Sequence, residues 1–411
     1  MTPTPFEAPV KASEAAVLAD ITFQLLENRR LQPDLRNRLA SRAAGLGLSS
    51  VRPYWGSLQQ DPVHASSFYL AVDSLTPAGP VPLLLRMALA SAPASALFPK
   101  SMLIGRMRPG GGREVVVNAM NFGPVDVEAI DTFATKVDRA FLPRPQGSAP
   151  AITVVSTEPE RELPAAFEGF RAVQKTAGVN AASIAAAPGL SMRTLASAVW
   201  CAIRAGWREG YNLEAAPIAL DRADLDQAVH DQAAFTRFRS ALTEFLDPPP
   251  TALDATAEDF GRRFTVGDVA YQFDALEVAA LLARFGPALA ASEKLVDAVR
   301  RERVAAGHGR VFDFEIVLPD TADARAAFFC QYWLRSRGRP ATLVAPAFAS
   351  VEEARQHGSI ARHFGSTLSF DSAALDYFPN PSQWTGGRWN CRVTGKITAA
   401  RVQAVAAALR A

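Results

Sequence analysis

Two carboxylates stand where chemistry is easiest to imagine. Glu315 lies inside the apolar run from Val311 to Pro319, and Asp371 closes the run from Thr367. A carboxylate buried in a strand needs a partner or a task. Two of them beside a bound molecule suit general acid–base work. Around them the sequence offers groups for binding. Arg144 between Pro143 and Pro145, and Arg388 beside Trp389, suit bidentate recognition of a carboxylate. Asn118 and Asn121 near a strand end, and Glu214, can meet hydroxyls. Trp384 and Trp389 offer aromatic faces on which a ligand ring can stack. Ordinary roles compete with each of these. Glu315 is otherwise a paired core carboxylate, and Asp371 or Asp320-Thr321 a helix cap. The asparagines are otherwise turn amides, the arginines surface ion pairs and Glu214 a solvated loop carboxylate.

Of the five histidines, His357 is the candidate binding residue. His363 shares its helix but sits six positions on, about 240° round, so the two are poorly placed to share a metal. The three cysteines, Cys201, Cys330 and Cys391, show no metal-ligand spacing and read as buried free thiols. No metal ligand set is assigned from the residues themselves.

The elements that position these groups alternate. The run Val311–Pro319, a helix from Asp323 to Arg337, the strand Ala341–Pro346, a helix from Val351 to His363 and the strand Thr367–Asp371 follow in order. Apolar strands alternating with helices imply a parallel sheet covered on both faces. The strand ends carry Glu315, Asp320, Pro346, Asp371 and Ser372, and in such sheets the chemistry sits at C-terminal strand ends. Upstream the spacing predicts strands at Glu114–Met120 and Ala151–Val155, and helices at Leu163–Thr176, Thr194–Gly210, Asp224–Phe245, Leu276–Phe285 and Ser292–Arg301. Roughly six to eight βα-like units after residue 114 fit a (β/α)8 TIM-barrel-like fold or a degenerate version of one. A doubly wound sheet is the alternative, and no Gly-x-Gly-x-x-Gly supports a dinucleotide site. The division expected is an N-terminal α+β portion over 1–109 and the barrel over 110–411.

Apolar residues make up 49% of the 411 and charged residues 20%, which reads as globular. A net charge of +2 recommends neither nucleic acid nor an anionic membrane as partner. No apolar leader is read at the start of the sequence, which sets a cytoplasmic expectation.

Several segments, taken in order and spacing, resemble the tagaturonate/fructuronate epimerase family. They are Glu114–Ala119, Phe141–Gly147, Leu163–Glu168, Trp200 with Ala205–Tyr211, Phe312–Glu315, His357–Gly365 with Leu368-Ser369, and Thr385–Trp389. The resemblance implies a TIM-barrel, metal-dependent sugar-acid epimerase, with a small-molecule sugar acid as partner and a divalent metal as cofactor. A homo-oligomer stays open. The departures fall where the family carries acidic residues and histidines. Here Ala216 and Pro217 follow Glu214, no histidine occurs at Arg325–Ala327, and Asp371-Ser372 follows Phe370. Alanine and proline side chains ligate nothing, so the family's metal site is expected to be lost. Two readings follow. One is an epimerase acting through Glu315 and Asp371. The other is a catalytically inactive relative that binds a carbohydrate ligand or an active partner without metal. A different α/β enzyme is the third.

Overall fold

The structure is a computed structural model. It describes the chain apart from positions 1–11, 29–30, 32, 47, 49, 109–111, 148, 175–180, 188–189, 217, 219–224, 242–259, 320–321, 340–341, 346–347 and 410–411. Pro217, Asp320, Thr321 and Pro346 therefore lie outside the described residues. Two compact units form: Met1–Leu142 with Ala196–Glu209, and Pro143–Leu195 with Gly210–Ala411.

The first unit is built on a six-stranded antiparallel sheet. Its strands are β1 (Val51–Pro53), β2 (Gln59–Gln60), β3 (Ser67–Thr76), β4 (Gly79–Leu89), β5 (Met102–Met107) and β6 (Val115–Asn121). The helices Ala12–Asn28 and Pro33–Leu46 contribute Leu18, Ile21, Leu25, Leu35 and Leu39 to a core with Leu70, Leu85 and Val117. From the returning stretch, Trp200 Nε1 donates to the Phe122 carbonyl, and Arg204 Nη2 meets Asp73 Oδ2 at 2.7 Å. Gly206 has φ +63°, and a Cβ there would lie 2.6 Å from Gly56 Cα, so glycine is required on both counts. The run read as the first strand of the α/β pattern, Glu114–Met120, is β6 of this sheet, pairing antiparallel with β4 and β5. An apolar strand signal carries no information on which sheet it joins.

The second unit is the expected (β/α)8 fold: a closed barrel of eight strands. Around it run β7 (Ala151–Ser156), β8 (Ala181–Ala186), β9 (Tyr211–Glu214), β10 (Arg237–Ala241), β13 (Asp313–Val317), β14 (Thr342–Ala345), β15 (Leu368–Asp371) and β16 (Trp389–Val393). Every neighbouring pair is parallel, including the closing pair of β16 with β7. A small antiparallel hairpin, β11 (Phe264–Val266) and β12 (Val269–Tyr271), stands apart from it.

Three sequence expectations are corrected. The span Asp224–Phe245 is not one helix: its described part is a short helix, Leu225–His230, followed by β10. Leu276–Phe285 and Ser292–Arg301 are one helix, Ala275–Ala305, carrying Pro287 inside it. That helix is long and apolar enough to cross a membrane by length and composition, and 39% of its most apolar window is buried. Val278, Leu281, Phe285, Leu289, Leu295 and Val299 form its buried stripe. Finally, the barrel strands are not apolar on both faces. Phe238, Phe314, Ile316, Leu368, Phe370 and Cys391 are buried and alternate with Arg237, Arg239, Glu315, Ser369, Asn390 and Arg392. Period-two alternation in a closed barrel sends one set to the helices and the other to the interior.

A charged barrel interior as candidate functional site

Contacts across the barrel identify the inward set. Arg392 of β16 donates through Nη1 to Glu214 Oε2 of β9 at 2.7 Å. Asn390 of β16 donates to Glu315 Oε1 of β13 at 3.4 Å and to Ser369 Oγ at 3.1 Å. Thr153 Oγ1 donates to Asn390 Oδ1 at 2.6 Å. A barrel of this kind normally fills its interior with branched apolar side chains. Here it holds a network of charges.

Two glutamates and three arginines form its centre. Arg239 Nη1 is 3.3 Å from Glu214 Oε1, and Arg239 Nε is 3.3 Å from Glu315 Oε2. Arg237 Nη1 is 3.1 Å from Glu315 Oε1, and Arg392 Nη1 is 3.6 Å from Glu315 Oε2. Asp313 Oδ2 is 3.5 Å from Arg237 Nη2 and also accepts from Asn212 Nδ2. With Asp313, three carboxylates face three guanidiniums. Strand position gives the depth. Asp313 opens β13 and Asn212 is second in β9, so both lie toward the N-terminal end of the barrel. Glu214 ends β9, Asp371 ends β15 and Arg392 is next to last in β16, so these lie toward the C-terminal mouth. Glu315 is fully buried, whereas the Arg239 and Arg392 side chains keep 12% and 9% exposure. Those two are the more exposed guanidiniums of the three, since Arg237 keeps 1%.

The surroundings shift the two glutamates in opposite directions. Burial pushes both carboxyls up. At Glu214 the Arg392 and Arg239 charges, with the Arg392 hydrogen bond, outweigh burial and hold it well below the usual carboxylate range. Glu315 is raised, by burial and then by the charge of Glu214, against the opposing arginines. Geometry explains why the arginines fall short. Glu315 Oε2, Arg237 Nη1 and Arg239 Nε are all buried without a hydrogen bond, because their close contacts are off-line. Arg392 is held more firmly charged: burial lowers it, and Glu214 more than restores it.

The sequence candidates divide accordingly. Glu214 and Glu315 belong to the network, and Asp371 stands at its rim. There Asp371 caps a 3-10 turn by accepting from Ala373 N at 2.8 Å, and it accepts from Thr394 Oγ1 at 3.0 Å. The other four lie elsewhere. Asn118 pairs in register with Arg86 and Leu103 in the antiparallel sheet. Arg144 is exposed and its backbone N donates to the carbonyl of Tyr211, the first residue of β9, at the N-terminal side. Arg388 is exposed before β16 and donates to the Gly365 carbonyl at the end of the helix Val351–Phe364. His357 is buried within that helix against Phe348, outside the barrel. Burial pushes its imidazole down to about 4, with Glu353 opposing. The sequence reading missed Arg237, Arg239 and Arg392. Their signal was present: arginine or asparagine alternating with aromatic or apolar residues in Arg237-Phe238-Arg239 and in Trp389-Asn390-Cys391-Arg392-Val393.

The divalent metal implied by the resemblance does not fit these residues. Among the described residues no three of His, Cys, Asp or Glu converge. The carboxylate oxygens of Glu214 and Glu315 face guanidiniums, and three arginines would repel a dication in a medium of low dielectric.

Fold and site together define a (β/α)8 barrel whose interior is a buried arginine–carboxylate network. The chain is similar to crystal structures of fructuronate-tagaturonate epimerase UxaE from Cohnella laeviribosi. The form with one glycerol superposes with a TM-score of 0.59 at 14% identity, covering 88% of this chain and 75% of that one. The native form gives 0.59 at 14%, covering 86% and 74%. The form with two glycerols gives 0.60 at 16%, covering 86% and 73%. At these identities the shared property is the fold. No protein-family model and no curated protein matches the sequence.

Proposed function

We propose that this chain binds a small sugar acid at the C-terminal mouth of its barrel without a divalent metal. The observation that carries the reading is the buried network of Arg237, Arg239 and Arg392 with Glu214 and Glu315. Guanidinium suits a planar carboxylate, and Arg239 and Arg392 are the reachable pair. Asp371 at the rim supplies an acceptor for a ligand hydroxyl. The fold likeness to a sugar-acid epimerase supports the ligand class, and the arginines replace the chemistry of a cation site.

Thermal denaturation with D-glucuronate, D-galacturonate and the matching neutral hexoses tests this. A ligand at a hundred times its Kd stabilises by about 2.7 kcal/mol. The uronates should raise Tm, the neutral sugars should not, and Mn²⁺ or Zn²⁺ should add nothing. Equal responses to acid and neutral sugars, or a stoichiometric metal, would refute the reading.

One observation favours a second reading, a metal-free epimerase. Two carboxylates in one site shifted in opposite directions are the arrangement acid–base catalysis uses. Glu315 would then exchange a proton next to the ligand carbonyl, with a guanidinium stabilising the enolate oxygen. Solvent deuterium entering a bound keto-uronate in the wild type but not in Glu315→Gln distinguishes it from binding alone.

A further inference from the structure

We infer that a ligand carboxylate entering the barrel is bound together with a proton: it takes over guanidinium partners of Glu315, and Glu315 is protonated as it does so. The inference rests on the binding reading above and deepens it.

The geometry singles out Glu315 as the carboxylate that yields. Glu214 accepts an in-line hydrogen bond from Arg392 at 2.7 Å. Glu315 Oε2 accepts none, although Arg239 Nε stands 3.3 Å away and Arg392 Nη1 3.6 Å away. Arg239 and Arg392 each serve both glutamates and keep some exposure, 12% and 9% of their side chains, where Arg237 keeps 1%. An arriving anion would make three carboxylates compete for them in an interior where Glu315 is fully buried. Like charges in such a space cannot all stay ionised. A proton on Glu315, drawn from solvent, removes one charge and turns its orphaned oxygen into an O–H donor.

The groups facing Glu315 leave it the member free to titrate. From β9 comes Glu214, held ionised by Arg392 and Arg239. From β10 come Arg237 and Arg239, and from β16 Arg392 and the neutral Asn390. On its own strand Asp313 faces Arg237 at the far end, and on β15 Asp371 lies at the rim. Strands β7, β8 and β14 contain no titratable side chain.

Isothermal titration of the full chain with D-glucuronate, in buffers of low and high ionisation enthalpy, tests this. The wild type should take up protons, approaching about one per chain, and its affinity should fall up to about tenfold per pH unit as pH rises through the linked window. Glu315→Gln should bind with no uptake and a flat pH profile. As a check that needs no variant, a ligand-minus-free infrared difference spectrum of the wild type should show a new protonated-carboxyl band. Binding without uptake, uptake undiminished in Glu315→Gln, or no such band overturns the proton coupling and leaves the binding reading standing. No binding of any uronate overturns both.

Discussion

At the scale of single residues, the energetics of the barrel interior rest on pairing. Glu214, itself buried, neutralises Arg392 and part of Arg239. Removing one member of a buried pair leaves an uncompensated charge, which costs roughly 3–5 kcal/mol. Glu214→Gln should lower unfolding free energy by about that much in urea titrations, although the side chains are nearly isosteric. His357 gives a prediction with a defined sign. Its imidazole is pushed from 6.5 down to about 4 by burial, so it is neutral in the fold and protonates in the unfolded chain first. Between those values the unfolded chain binds more protons, and stability falls as pH drops through the window. At pH 5 the loss is about 2 kcal/mol. His357→Leu should flatten this acid limb in urea melts at pH 7 and pH 5, and an unchanged limb would remove His357 as its source. Sequence alone singled out His357 by type, but its place outside the barrel depends on helix packing that type does not reveal. Glu315 was legible for the opposite reason: a carboxylate in a run this apolar cannot be solvated, whatever the fold around it.

At the scale of elements, the contacts between neighbours decide what a substitution costs. In the helix Pro159–Gln174, Gly169 lies against the helix Ala399–Ala408, and a Cβ there would sit 2.7 Å from Val402 Cβ and 3.3 Å from the Ala399 carbonyl oxygen. Gly169→Ala should therefore destabilise by about 1–3 kcal/mol despite alanine's better helix propensity. A gain in Tm would show that the two helices part without cost. The apolar, periodic elements were readable from sequence: the helices Ala324–Ser336 and Val351–Phe364 and the strands β13 to β15 fall close to where their patterns place them. Those interrupted by polar residues were not. Strands β9 and β10 are no shorter than β14 or β15, but Asn212 and Glu214 break the apolar run of one and Arg237 and Arg239 that of the other. Losing β10 to a supposed helix also hid Arg237 and Arg239, so one misread element removed two of the three arginines from view.

At the scale of the whole molecule, the closed parallel barrel was legible because alternation survives errors in any single element, while the antiparallel sheet was not. Strand β6 carries the same apolar signature as a barrel strand, and only its partners β4 and β5 assign it. The likeness to solved structures at 14–16% identity is one of fold. The route of the chain sets an order on its birth. The first unit needs Ala196–Glu209, which follows two barrel strands in sequence. A ribosome delivers Met1–Leu142 long before Trp200 reaches the Phe122 carbonyl or Arg204 reaches Asp73. The nascent first unit is thus a debtor to codons not yet read, and its completion is timed by translation of the barrel's opening strands.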